Sequence, residues 1–393
     1  MSGWQVRTIG EVCRWVTSGG TPLTSRSDFY LNGTIPWLKT KEINQRRIYS
    51  TENYITELGV ENSSAKMVPV NTVTVAMYGD GQTAGRVGLT KIPLTTNQAC
   101  CNLIIDQELA DPEFVFYLLR GSYDELVARK TGSGQQNLNA KLIKSFEFAA
   151  PSIDEQRSIA SSLGCLDDKI VLLHRQNQTL EAMAKTLFRE WFVEGADEYW
   201  ETCKVGDLMT VKGGTTPSTK EASFWDGAVP WTSPRDLSNQ RSIHLFDTNR
   251  KITPLGLAEI GSGLLPKGTV LLSSRAPIGY LAITDLPVAI NQGYIAMICD
   301  DGIPNYYAYL WCKQHMDTIK AAGNGSTFEE ISKSSFKALP FLVPPAEKLE
   351  AFDGVVRSMF GKLRANELQV RSLENLRDTL LPKLMSGEVR VGC

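Results

Sequence analysis

Two polar segments of this 393-residue chain carry the residue types that contact a polyanion. Lys39, Lys41, Arg46 and Arg47 fall within nine residues beside a single acid, Glu42. Residues 129–146 hold Arg129, Lys130, Lys141 and Lys144 with no acid, and Arg86 adds a further cation upstream. Between these cations run Gly132, Ser133, Gly134, Gln135, Gln136 and Asn137. Glycine lets backbone N–H groups approach a phosphate. Gln and Asn side chains pair bidentately with adenine in the major groove, and Arg with guanine. The second half offers Ser233, Arg235, Ser274, Arg275, Asn324, Ser326 and Thr327 as the corresponding DNA-contact candidates. A solvated polar loop is the competing reading of any one segment; recurrence in both halves favours contact.

Groups that react covalently are hard to find. The three histidines, His174, His244 and His315, are expected on the solvated surface. No Ser or Cys sits in a nucleophile elbow, and neither a Walker A loop nor an HExxH motif occurs. Residues 79–85 superficially resemble a phosphate cradle, but Arg86 and more strand text follow, so a tight β-turn is expected. The Pro-Pro pair, Pro344-Pro345, lacks the flanking residues of a methyltransferase loop, and no Glu-x-Lys nuclease signature appears. Eight cysteines without a C-x-x-C pair are expected to be reduced, mostly buried thiols of a cytosolic protein, and no metal site is expected. The net charge of −2 is shared almost evenly by the halves. Any nucleic-acid affinity must therefore come from cations segregated onto one face. The start of the chain lacks an apolar signal core and no run approaches about 18 apolar residues, so a soluble, cytoplasmic protein without a membrane partner is expected.

The elements that position these segments are written twice. Ile35-Pro36-Trp37 returns as Val229-Pro230-Trp231, and Asn97-Gln98 as Asn291-Gln292, each 194 positions on. Gly19-Gly20-Thr21-Pro22 corresponds to Gly214-Thr215-Thr216-Pro217, and Gly132-Ser133-Gly134 to Gly323-Asn324-Gly325. Two long copies suggest a pseudo-two-fold molecule rather than a solenoid. Each copy reads as short β runs with a helix near 113–119 in the first, hence a mixed α+β domain. After each copy the texture changes to a heptad seam: Ile159, Leu163, Leu166, Ile170, Leu173, Leu180, Ala184, Leu187 and Trp191 in the first. The second seam runs through Phe352, Val356, Met359, Leu363, Val370, Leu373, Leu380 and Leu384. Such helices, roughly 50 Å long, are expected to pair with each other rather than lie on the α+β domains. Gly195 should end the first, and Pro382 should bend or stop the second. Asn177 interrupts one seam, and Asn366 and Arg377 interrupt the other; an antiparallel register centred on the seams sets the two amides face to face as a register pin. The expected division is 1–152, 153–195, 196–345 and 346–393.

The strings at 270–280 (Val-Leu-Leu-Ser-Ser-Arg-Ala-Pro-Ile-Gly-Tyr), 290–293, 325–332 and 380–388 (Leu-Leu-Pro-Lys-Leu-Met-Ser-Gly-Glu) resemble the specificity subunit of type I restriction-modification enzymes. The first half follows through Gly19 to Pro22, Ile35 to Trp37 and Thr96 to Gln98. The resemblance implies two homologous mixed α+β target-recognition domains separated by two long helices forming an antiparallel coiled coil. It also implies a non-catalytic DNA-reading subunit without a cofactor of its own. Its partners would be double-stranded DNA read as a bipartite asymmetric site, two methyltransferase subunits and two ATP-dependent restriction subunits. The alternatives are the specificity subunit of a related bipartite-site system lacking the type I motor, or an architectural coiled-coil adaptor. Because the 132–138 and 323–329 segments differ in their polar residues, the two domains are expected to read different half-sites.

These assignments separate two kinds of variant. Lys141→Ala or Lys144→Ala is expected to weaken DNA binding at every sequence and flatten its salt dependence. Gln135→Ala or Gln136→Ala should alter one half-site by about 1–3 kcal/mol. Titrations of matched and mismatched duplexes at several salt concentrations distinguish the two.

Overall fold

The computed structural model describes residues 4–79, 82–130, 137–238, 240–300, 302–324 and 329–391. They form two compact units, one of residues 1–170 with 372–393 and the other of residues 171–371.

The first unit is built on a five-stranded sheet in the order Cys13–Ser18, Cys100–Ile105, Val73–Ala76, Val87–Thr90, Arg46–Ile48. Neighbours are antiparallel except the last pair, where Arg46–Ile48 runs parallel to Val87–Thr90. Val73, Val75, Val87, Leu89 and Leu103 are fully buried, consistent with strands that read as continuous β-branched and apolar runs. Helix Pro112–Gly121 packs its phenylalanines into the same core. Its start is set by Asp111, whose carboxylate accepts the Phe114 N–H at 2.9 Å, and by Pro112 in the first turn. A second sheet orders Asn53–Ile55, Ile35–Leu38, Leu94–Thr96 and Met67–Val68.

The second unit repeats the main sheet strand for strand: Thr210–Gly213, Tyr294–Ile298, Val270–Ser273, Leu281–Thr284, His244–Leu245, again with the last pair parallel. The recurring motifs are the joints of this frame. In the first unit the Trp37 indole donates to the Gly20 carbonyl at 3.0 Å, and Gly20 N–H to the Thr96 carbonyl at 2.9 Å. In the second, the Trp231 indole donates to the Thr215 carbonyl at 3.3 Å, and Thr215 N–H to the Ile290 carbonyl at 3.1 Å. Glycine is required at the joint because a Cβ on Gly19 would lie 1.9 Å from the Thr96 oxygen, and one on Gly214 1.8 Å from the Ile290 oxygen. The Thr-Pro and Asn-Gln motifs close the same joint, since the Thr21 hydroxyl bonds Gln98 and the Thr216 hydroxyl bonds Gln292.

The long helices span Ile153–Arg189 and Ala346–Met385. The first ends in a π turn, Glu190–Glu194, with Gly195 N–H on the Glu190 carbonyl at 2.9 Å. The second runs through Pro382 and ends at Met385, before Ser386, so of the expected bend or stop at the proline the stop does not occur. The proline forfeits the helical bond to the Asp378 carbonyl, and the burial of Leu381 and Leu384 in the first unit's core holds the last turn in place. In the second unit Phe188 packs on Phe352, with centroids 6.0 Å apart, while Asn177 meets Asn366, an antiparallel order.

Each buried stripe is wider than a two-position seam. Ala160, Phe188, Phe192, Phe360 and Leu381 are buried beside the seam residues, in clusters shared with the sheets and short helices. The helices therefore pack on each other, as expected, and on the α+β cores as well, which corrects the expectation that they would pair instead of lying on the domains. The polar interruptions are partnered. In the first unit Arg377 donates to Asp167 at 2.7 Å and to Asp378 at 2.8 Å, and Asp167 also accepts the Tyr117 hydroxyl at 2.7 Å. Flanking carboxylates raise the Arg377 pKa further, against the opposing effect of burial, the largest single influence. In the second unit Nδ2 of Asn366 donates to Oδ1 of Asn177 at 2.9 Å.

A lone buried amide costs its desolvation, whereas the facing pair recovers part of that cost through one bond, with Oδ1 of Asn366 left buried and unpaired. Asn177→Leu or Asn366→Leu alone is expected to be less stable than the double variant by about 1 kcal/mol. Denaturant unfolding of the four-protein cycle reads the coupling, and additive effects would exclude a mutual amide contact of energetic consequence.

Candidate nucleic-acid interface

In both units the polar segments hang from the same point of the frame, the residue just after the third main-sheet strand in chain order. The Met77 carbonyl accepts Leu138 N–H at 2.9 Å, and Met77 N–H donates to the Ala99 carbonyl at 2.8 Å. In the second unit the Ser274 carbonyl accepts Ile331 N–H at 3.0 Å, and Ser274 N–H donates to the Gly293 carbonyl at 2.8 Å. Ser133, Gln135, Gln136, Ser326 and Thr327 lie outside the described residues. The segment leading back into the second-unit frame is closed by reciprocal backbone bonds between Asn324 and Glu330, 2.9 and 3.1 Å, with Arg275 3.6 Å from the Glu330 carboxylate. Residues 79–85 join two antiparallel strands: Gly85 N–H meets the Ala76 carbonyl at 2.8 Å, and Gly85 has φ +91°. The described residues on either side close a hairpin, as expected; Asp80 and Gly81 lie outside the described residues.

The structure sorts the candidates by what their side chains already hold. Lys41 and Arg235 are exposed and sit in matching short helical turns, Thr40–Glu42 and Pro234–Leu237. Each turn is capped by an acid, with Lys39 N–H on Glu42 at 3.0 Å and Ser233 N–H on Asp236 at 2.7 Å. Lys41 lies 3.2 Å from Glu52, but both side chains are more than 60% exposed, so a phosphate can displace that pair. Arg46, Lys141, Lys144 and Asn324 are exposed, while Arg86, Lys130 and Asn137 are half-buried. Lys141 and Lys144 sit on helix Ala140–Lys144, which Asn139 caps by accepting Leu142 N–H at 3.0 Å.

Other candidates are committed to the frame. The Lys39 ammonium lies 4.7 Å from the Trp37 ring centroid and donates to Asn53 at 3.1 Å. Ser233 serves the cap with its hydroxyl, 3.3 Å from Asp236, and its carbonyl accepts the Tyr294 hydroxyl at 2.8 Å. Ser274 is 3% exposed, so its assignment as a DNA contact is corrected: its backbone anchors the loop and its side chain faces inward. Arg47, counted in the basic run, is also turned inward, toward Glu113 and Asp168. Arg241, six positions after Arg235, is exposed as well.

The reactive groups differ from expectation in two respects. His244 is 2% exposed and bonded to Glu367, and His315 is half-buried against Trp311, burial lowering its pKa. Neither is a solvated surface histidine, because each packs its ring among aromatic neighbours. Of the seven described cysteines only Cys100, Cys101 and Cys312 are buried, and Cys165 is exposed. Burial pushes the Cys13 thiol up to about 12, with Lys144 opposing, and Cys101 likewise to about 12, which leaves both protonated at neutral pH. Among the described residues no group of three or more His, Cys, Asp or Glu could hold a metal ion, and no helix is long and apolar enough to cross a membrane. An open cleft of about 550 Å³ in the second unit is lined by Pro277, Ile278, Met316, Lys320 and Glu329, without a paired nucleophile and base.

Residues 1–182 and again 197–355 match the type I restriction modification DNA specificity domain. The chain belongs to the family of type I restriction-modification specificity subunits. The MjaIX specificity subunit of Methanocaldococcus jannaschii is 28% identical over 99% of this chain and 94% of its own length. The HindI specificity subunit of Haemophilus influenzae is 22% identical over 99% of this chain and all of its own length, 100%. The crystal structure of a type I restriction-modification S subunit from M. genitalium shares the fold, with a TM-score of 0.60 at 18% identity over 98% of this chain and 96% of that one. The duplicated frame of this specificity subunit thus coincides with two copies of its family domain.

Lys41 and Arg235 are one pair of matched exposed cations in the two copies. Lys41→Ala and Arg235→Ala should each lower the slope of log affinity against log salt by about 1, with little change in sequence preference. Fluorescence titration of the assembled complex from low to high salt measures it, and an unchanged slope in both variants would place the phosphate track elsewhere.

Proposed function

We propose that this specificity subunit reads a bipartite, asymmetric DNA site, one half with each unit, and scaffolds the catalytic subunits of its complex. One observation carries this reading: the same hydrogen-bonded frame is built twice, yet the side chains presented from it differ. Lys41 stands where Arg235 stands in the second copy, and the segments hung from Met77 and Ser274 differ in their polar residues. A constant frame with unlike contact residues is what reading two unlike half-sites requires. The contact set comprises Lys41, Arg46, Arg86, Lys130, Asn137, Lys141 and Lys144 with the 133–136 residues in the first copy, and Arg235, Arg275, Asn324, Ser326 and Thr327 in the second.

The division into two target-recognition domains, 1–152 and 196–345, and two helices, 153–195 and 346–393, belongs to the same reading. So do a cytoplasmic location, two methyltransferase subunits that supply the methyl-transfer chemistry, and two ATP-dependent restriction subunits. In this proposal the chain itself transfers no methyl group and cuts no DNA.

Two outcomes test the reading. The purified chain with S-adenosylmethionine is expected to leave DNA unmethylated, while the assembled complex methylates a defined two-part site. Replacing residues 4–151 by the equivalent domain of a relative should change one half of that site and leave the other intact. Methylation by the isolated chain, or a folded and assembled hybrid that changes both halves, contradicts the proposal.

A further inference from the structure

Directly after each exposed turn and its basic residues, the chain enters the last strand of the main sheet, and there both units place one buried polar side chain at the same position. The equivalence follows from register. Arg47 lies opposite Leu89 and Ile48 opposite Thr90; His244 lies opposite Ile283 and Leu245 opposite Thr284. Thr90 and Thr284 are themselves equivalent, since each hydroxyl donates to a proline carbonyl, Pro69 at 2.9 Å and Pro266 at 3.2 Å. Each also accepts a threonine N–H, from Thr72 at 3.0 Å and Thr269 at 3.1 Å. Arg47 and His244 are thus the same place in the fold, filled by different chemistry.

Both side chains reach a long helix of their own unit. The Arg47 guanidinium bonds Asp168 on the first helix, donates to Glu113 at 2.7 Å, and lies 3.4 Å from the Gly164 carbonyl. Gly164 leaves room for it: a Cβ there would come within 2.6 Å of the guanidinium nitrogen, which would have to shift. In the second unit Nδ1 of His244 is 2.6 Å from Oε2 of Glu367 on the second helix, while Oε1 of Glu367 accepts the Ile243 N–H at 2.5 Å. His244 and Glu367 side chains are 2% and 5% exposed, so water cannot replace either partner. The neighbouring chain is tied to the same point, with the Gln240 amide and Ser242 hydroxyl both donating to the His244 carbonyl, at 3.1 and 2.9 Å. A displacement of this strand therefore carries the 235–243 segment, with Arg235 and Arg241, along with it.

The geometry points to Arg47 with Asp168, and His244 with Glu367, as positioning pairs that set each DNA-contact segment against its long helix and thereby determine how sharply each half-site is read. This rests on the two-half reading proposed above. The pairs touch no DNA themselves.

The experiment uses the complete complex and measures methylation rates on the cognate duplex and on duplexes carrying one substituted base in either half. His244→Leu removes the donor; His244→Asn restores one at the position of Nδ1; Glu367→Asp keeps the charge but draws it back by one methylene; Arg47→Met breaks the other pair. His244→Leu and Glu367→Asp are expected to cut discrimination by about tenfold at the half-site assigned to the second unit, leaving the other unchanged. His244→Asn should recover most of it, and Arg47→Met should produce the reverse pattern. If His244→Leu does not assemble, Glu367→Asp and His244→Asn still decide the matter, through their opposite effects. Equal loss at both half-sites, in step with melting temperature, would reduce the pairs to plain stability elements. Full discrimination in assembled Glu367→Asp and Arg47→Met overturns the inference. A wild-type complex that methylates without regard to either half-site fails the underlying functional reading instead, and that control is read first.

Discussion

Each long helix must bury more surface than its partner helix can cover, and the rest of the structure depends on how that excess is covered. The seam residues meet across the pair, but Ala160, Phe188, Phe192 and Phe360 flank the seam and are buried as well. A stripe of that width needs two neighbours, and the α+β cores supply the second. The first helix does this in both units, its residues up to Ile170 belonging to one and those from Val171 to the other. Its sequence therefore satisfies a coiled-coil constraint and a globular-core constraint at once.

Several carboxylates buried by this packing collect more than one donor, although Nε2 of His244 and Oδ1 of Asn366 are buried without a partner. Asp167 receives Tyr117, Arg120 and Arg377, and Glu367 receives His244 and the Ile243 amide. Such groups add less to stability than apolar residues of the same volume would. Their directional bonds, however, penalise every register in which a carboxylate would face a leucine. The Asn177–Asn366 contact acts in the same manner at lower cost, since neither amide carries a net charge.

The same logic separates frame from reader. Residues that recur between the halves, the Trp indoles, the close-packed glycines and the Asn-Gln pair, are spent on holding strands and loops together. The segments whose polar residues differ are joined to the frame by backbone bonds at Leu138 and Ile331, which any side chain can make. A fold whose joints are backbone-directed tolerates new contact residues without being rebuilt. The bonds at Met77 and Ser274 show the point: one anchor carries a thioether and the other a hydroxyl, and the carbonyl does the same job in both.

Much of this was legible along the chain because it rests on periodicity and recurrence, which are properties of order in sequence. The duplication, the mixed α+β class and the two helices with their facing asparagines follow from spacing alone. The direction in which individual polar side chains point did not follow. Arg46 and Arg47 are adjacent cations, yet strand alternation turns one to solvent and the other onto a helix carboxylate more than a hundred positions away in sequence. Ser274 sits in a polar string and is buried, and His244 has no sequence neighbour to announce Glu367. The course of the second helix through Pro382 was likewise decided by the core waiting for Leu381 and Leu384. Local sequence determined which elements form and that they come in pairs. Burial, and the long-range partners that make it tolerable for a charge, was decided only when the tertiary structure brought distant residues together.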